Sequence, residues 1–95
     1  MGIRYAASAF RHGITEEQIE YVVDHCGLVF DEPAPPDSPV PEDRSLFLGD
    51  DQRGVPIEIA GIELDSGDLL VIHAMKLRPE YEPQYIEALA ARIVP

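Results

Sequence analysis

Ninety-five residues carrying 7 Lys+Arg against 18 Asp+Glu, a formal net charge of −11, describe one small acidic domain and leave no room for two. With 45% apolar residues the chain can assemble a core, although at this length folding hides only about 60–65% of the unfolded surface and the expected stability is modest, roughly 5–10 kcal/mol. The charge argues against unaided, non-specific binding to DNA or RNA, so any function has to come from a local constellation of side chains.

The first residues, Met1-Gly2-Ile3-Arg4-Tyr5, hold no apolar stretch of the signal-peptide kind. Ala6 to His12 is rich in helix formers and stops at Gly13, the residue expected where a helix ends in a left-handed conformation, which predicts a short first helix. Thr15 then stands as an N-cap with Gln18 three residues on, a capping box, and Glu16 and Glu17 suit the positive end of the helix dipole. Ile19, Val22, Val23 and Cys26 follow at i, i+3, i+4 and i+7, so a second helix runs from Glu16 to about Cys26.

Leu28-Val29-Phe30 reads as a short strand ended by Asp31-Glu32-Pro33, and the stretch to Asp43 holds five prolines among small and acidic residues, an irregular loop. Three strands are expected next, Ser45 to Gly49, Val55 to Leu64 and Leu69 to Met75, joined by hairpin-length connectors. Val55, Ile57 and Ile59 share one parity whereas Ile62 and Leu64 take the other, which predicts a β-bulge near Ala60-Gly61. The last strand is apolar at nearly every position, as if buried on both faces, with His73 toward its end. This run, Leu69 to Met75, is the longest apolar one and falls far short of the roughly 18–20 residues that cross a bilayer. Ile86, Leu89, Ala90 and Ile93 repeat the helical stripe, so a terminal helix of about Glu82 to Arg92 packs on the sheet. The expected whole is a single α+β domain, residues 1–95, with two N-terminal helices, a three- or four-stranded antiparallel sheet and a C-terminal helix packed on it. A cytoplasmic location is expected, in keeping with a lone cysteine, Cys26, which has no second thiol for an internal disulfide.

Concentrated positive charge occurs in one place: His73, Lys76, Arg78, Tyr81 and Tyr85 fall within thirteen residues. His73 and Met75 face one side of the strand and Ala74 and Lys76 the other, but the chain turns by Pro79 and can gather the group around one concavity. Such a set suits a phosphodiester, with Lys and Arg stabilising charge on phosphorus and His or Tyr moving the proton of a ribose 2′-hydroxyl. The alternative is structural: Tyr81 and Tyr85, four apart, cover the sheet as core residues, and His73 is a hydrogen-bonded core histidine. His12 and His25 each end an expected helix, where an imidazole satisfies the last carbonyls. Cys26 lies on the apolar stripe of its helix and reads as a small hydrophobe. Arg53, beside Gly54 in a hairpin tip, is a candidate contact for nucleic acid or a partner. Neither a metal-ligand spacing nor a phosphate-binding glycine loop, a nucleophile elbow or a dinucleotide fingerprint occurs, so no metal or cofactor is expected.

His12-Gly13-Ile14-Thr15, Val29-Phe30-Asp31-Glu32-Pro33, Arg44 leading into Leu46-Phe47-Leu48-Gly49, Arg53-Gly54 at a turn and Val71-Ile72-His73-Ala74 before a tyrosine-bearing helix occur in an order that resembles the BrnT-like toxins of bacterial type II toxin–antitoxin systems, within the RelE/ParE-like fold group. The resemblance covers about Ile14 to Tyr85 and implies a compact α+β fold, metal-independent cleavage of RNA and neutralisation by a cognate DNA-binding antitoxin. Where that family commonly ends its last strand in Ile-Ser-Ala-Arg, this chain has Ile72-His73-Ala74-Met75, and Lys76 or Arg78 is left to supply the missing cation. The expectation is a toxin-like ribonuclease in which Lys76 and Arg78 bind phosphate, His73 acts as acid or base, and Tyr81 or Tyr85 orients the ribose. A second expectation, of another class, is a non-catalytic acidic domain that engages a basic partner or forms a homodimer.

Overall fold

Thr15 opens the helical part of the chain as the sequence leads one to expect. A computed structural model describes the backbone of residues 2–93 and the side chains of residues 2–91, and in it Thr15 Oγ1 accepts from the Gln18 amide at 3.2 Å while Gln18 Oε1 accepts from the Thr15 amide at 2.9 Å. This capping box starts helix α1, Glu16–His25, whose Ile19 and Val22 are fully buried. His25 Nδ1 lies 2.9 Å from the Tyr21 carbonyl in the last turn, the terminal role expected of it. Ahead of α1 no α-helix occurs among the described residues: Ala7–Phe10 forms one 3₁₀ turn, and Gly13 follows it at a φ of 79°. Four residues offer too few i→i−4 bonds to nucleate an α-helix, so the expected first helix is corrected to a turn.

The sheet has five strands, β1 (Ile3–Tyr5), β2 (Leu28–Glu32), β3 (Arg44–Asp50), β4 (Pro56–Glu63) and β5 (Leu69–Lys76), in the order β1-β5-β4-β3-β2. Strands β2 to β5 form an antiparallel meander, and β1 adds to β5 in parallel. The expected three- or four-stranded antiparallel sheet is therefore corrected to a mixed one of five. A strand of three residues carries no readable alternation; β1 exists because β5 offers it an open edge, with the Leu69 amide donating to Gly2 O and the Ala6 amide to Val71 O, both at 2.9 Å.

The register shift between β4 and β5 falls between Ala60 and Gly61, where the bulge was expected, but the extra residue is Ile72 of the partner strand: Gly61 pairs with Val71 and Ala60 with His73. Its consequence is directional. Val71 belongs to the core under α1, and without the extra residue His73, two positions on, would point there too. The bulge turns His73 to the other face, beside Ala60. Gly61 is required at this point, since a Cβ there would lie 2.7 Å from Leu69 Cδ1.

The sheet separates two apolar layers. On one face α1 covers Ile57, Ile59, Leu69, Val71 and Ala74, with Ala9 and Ile14 completing the layer. On the other, Leu46, Leu48 and Ala60 meet Tyr81, from the 3₁₀ turn Pro79–Tyr81, and Tyr85, from helix α2 (Glu82–Ile93). Helix α2 packs through Tyr85 and through Leu89 of the expected stripe, whereas Ile86 of that stripe is 61% exposed; the Ile93 side chain lies outside the described residues. No helix among the described residues is long and apolar enough to cross a membrane.

Candidate functional site: an arginine and histidine cleft around a buried glutamate

Glu58 lies between Ile57 and Ile59, which are fully buried in the layer under α1; by strand alternation its side chain points to the opposite face, where it is also fully buried. A carboxylate so placed requires compensation, and it is supplied by the chain leaving β5. The Arg78 amide donates to Glu58 Oε1 at 2.9 Å, Arg78 Nε lies 3.0 Å from both oxygens, and Nη2 donates to Oε2 at 2.7 Å, a side-on grip by the guanidinium. His73 Nε2 approaches Oε2 at 3.2 Å. Burial alone pushes the Glu58 carboxyl upward, but the hydrogen bonds from His73 and Arg78 and the guanidinium charge outweigh it and hold the group down at about 2.

An ionised carboxylate only accepts hydrogen bonds. His73 Nε2 therefore carries a proton, and in the neutral ring the lone pair sits on Nδ1, which has no hydrogen bond among the described residues. The His12 ring stands edge-on to His73 with centroids 5.6 Å apart. His12 thus contacts a second imidazole instead of capping a helix, the role its position suggested.

His73 and Arg78 border a cleft of about 510 Å³ between the end of β5, the Ala7–Phe10 turn and the proline loop. Ser8, Arg11, Arg44, His73, Arg78 and Tyr81 line it, so three of the seven Lys and Arg residues open onto one concavity of an acidic protein. Ser8 Oγ donates to the Ile72 carbonyl at 2.6 Å and fixes the bulge from outside. Tyr81 is 9% exposed, gives its hydroxyl to Glu32 Oε2 at 2.9 Å, and lies with its ring centroid 5.4 Å from the Arg78 guanidinium carbon. Burial, then the Glu32 contact, pushes the Tyr81 phenol up to about 12, so it serves as a brace and not as a proton carrier near neutrality.

Of the residues singled out in the sequence, His73, Arg78 and Tyr81 converge here. Lys76 does not: it pairs with Ile57, whose side chain is in the layer under α1, and so lies on the opposite face. Tyr85 packs in the second apolar layer and hydrogen-bonds Asp50, in a separate hollow. Arg53 is in the β3–β4 turn, near Thr15, Gln18 and the buried Asp51. Glu58, Ser8, Arg11, His12 and Arg44 were not expected here. Glu58 alone left a signal, a lone charge inside an apolar strand. Among the described residues no group of three or more His, Cys, Asp or Glu side chains is placed to hold a metal ion. No family model, curated protein or solved structure matches the chain.

Proposed function

We propose that this cleft binds the phosphodiester backbone of RNA and cleaves it by attack of the neighbouring ribose 2′-hydroxyl, as a cytoplasmic, toxin-like ribonuclease restrained by a cognate antitoxin. The observation that carries the reading is the convergence of His73, Arg11 and Arg44 on one hollow of a chain with a net charge of −11, with the His12 ring edge-on to His73. His73 Nδ1 takes the 2′-hydroxyl proton, because Glu58 commits Nε2 to donation. The 2′-oxygen attacks phosphorus and the P–O5′ bond breaks; protonated His12 delivers a proton to the departing 5′-oxygen, leaving a 2′,3′-cyclic phosphate and a 5′-hydroxyl. Arg11 and Arg44, neither of which is ion-paired among the described residues, offset the charge that grows on the phosphoryl oxygens. Arg78 is largely spent on Glu58, and its part is to keep that carboxylate ionised.

The test is incubation of the purified protein with a labelled single-stranded RNA, alongside induced expression scored for growth. Cleavage to cyclic-phosphate ends and growth arrest, both lowered about 100-fold or more by His73→Ala, support the reading; an inert wild type, or a fully active His73→Ala, overturns it. A second reading, a non-catalytic interaction or homodimerisation domain, is supported by a different surface. Ile86 is 61% exposed on α2, whose Gln84, Glu87, Ala88 and Ala91 line a hollow with Leu28 and Phe30. An inactive protein that elutes as a dimer, and as a monomer after Ile86→Glu, favours it.

A further inference from the structure

Arg44, at the start of β3, lies directly across the strand pair from Glu32, yet makes no ion pair with it among the described residues. The Glu32 carboxylate accepts instead from the Tyr81 hydroxyl. The Arg44 guanidinium turns to the proline loop, which folds across the cleft as a strap. Its Nη2 donates to the Val40 carbonyl at 3.0 Å and more weakly to Ser38 Oγ at 3.4 Å. Its Nε is sealed from solvent and has no hydrogen-bond partner among the described residues. A buried, unmet donor on a charged group is destabilising, so the arrangement calls for an acceptor.

Nε and Nη2 form one edge of the guanidinium, the same two-pronged edge with which Arg78, also lining the cleft, holds Glu58. That edge matches two oxygens of a carboxylate or phosphate. In Arg44 one prong is lent to a neutral backbone carbonyl and the other to nothing. Ser38, Pro39 and Val40 line the cleft together with Arg44 and Arg11, and the Val40 carbonyl holds Nη2 while Nε beside it is sealed from solvent.

We propose that the Nε–Nη2 edge of Arg44 is a receptor for a phosphate oxyanion, which on binding displaces the Val40 carbonyl and lifts the Ser38–Val40 part of the strap. The same contact makes the unoccluded strap an acceptor of substrate and the closed strap a plug. That the phosphate belongs to a nucleic-acid backbone rests on the ribonuclease reading; the two-pronged edge does not.

The direct experiment is a ¹⁵N side-chain NMR titration of the wild-type protein with inorganic phosphate, following the Arg44 Nε–H signal, and in a second arm with a short single-stranded RNA. A saturable shift of that signal is expected. Arg44→Lys, which keeps the charge and loses the two-pronged edge, should bind phosphate about 10-fold more weakly. Ser38→Ala, which weakens the strap's hold, should bind at least as tightly as the wild type. A signal that phosphate does not move, or Arg44→Lys binding at wild-type affinity, overturns the proposal, and the wild-type titration decides the matter even if Arg44→Lys does not fold. A shift with RNA at lower concentration than with phosphate identifies a backbone phosphate; a shift with phosphate alone identifies a free anion. Phosphate binding through Arg44 by a protein that cuts no RNA keeps the receptor and ends the nuclease, whereas RNA cleavage with no Arg44 response does the reverse.

Discussion

The face of the sheet under α1 and the face under the strap are built from the same strands and often from adjacent residues. Ile57 and Ile59 enter the first, and Glu58 between them enters the second; both environments exclude solvent. The first face is closed by an apolar layer, with α1 further tied to the sheet's end by the Gln18 side-chain amide donating to the buried Asp51 at 3.0 Å. The second is closed by an ion pair, a histidine and two tyrosine hydroxyls bonded to carboxylates. Packing makes the first face tolerant of any residue of similar volume, whereas every polar partner on the second is tied to a particular atom. A strand of period two lets a small domain keep a stabilising core and a specific cleft back to back.

The contrast can be broken most forcefully at Arg78. Arg78→Ala leaves the Glu58 carboxylate buried with only His73 to balance it, and should cost about 3–5 kcal/mol in denaturant unfolding. On the apolar face Ile59→Ala, at a position with no exposure, should cost about 2–5 kcal/mol by leaving a cavity. The pH dependence separates them: the Ile59→Ala loss is uniform across the acid range, and the Arg78→Ala loss shrinks as Glu58 becomes protonated.

Acid titration of the wild type sharpens this. The folded Glu58 carboxyl lies at about 2 against an ordinary 4.5, a depressed value. Its contribution is fully present above the unfolded value and is lost as pH falls from about 5 toward 2. The loss should be on the order of 3 kcal/mol, and Glu58→Gln should flatten that limb. A wild-type acid limb identical to that of Glu58→Gln would show that the carboxylate is not held as described. The smallest effect is expected away from both faces. Thr15→Ala, which removes one half of the capping box, should cost about 1 kcal/mol in denaturant unfolding.

What was legible in the sequence was local. The Thr15 to Gln18 capping box, the apolar stripe of α1 and the residue at which β4 and β5 change register are each specified within a few residues. The gathering of His73 and Arg78 could also be read, because they are near neighbours separated by a turn. Strand β1 could not, since its pairing energy comes from an edge about sixty residues away along the chain. Helix α2 presents Tyr85 and Leu89 to the sheet and leaves Ile86 exposed, so its apolar pattern was only partly a guide to its buried face. Lys76 reads as a partner of Arg78 by proximity, and strand alternation sends it to the other face. Arg11 and Arg44 come to the cleft, and His12 to the His73 ring, from segments whose proximity only the assembled sheet and strap create.

The claim that joins fold to chemistry is that Glu58 fixes the proton of His73 on Nε2 and leaves Nδ1 basic. Long-range ¹⁵N–¹H NMR correlation of the imidazole in the native protein reads that directly. The account predicts a protonated Nε2 and an unprotonated Nδ1 in the neutral ring, with the preference lost in Glu58→Gln; a neutral His73 protonated on Nδ1 would contradict it.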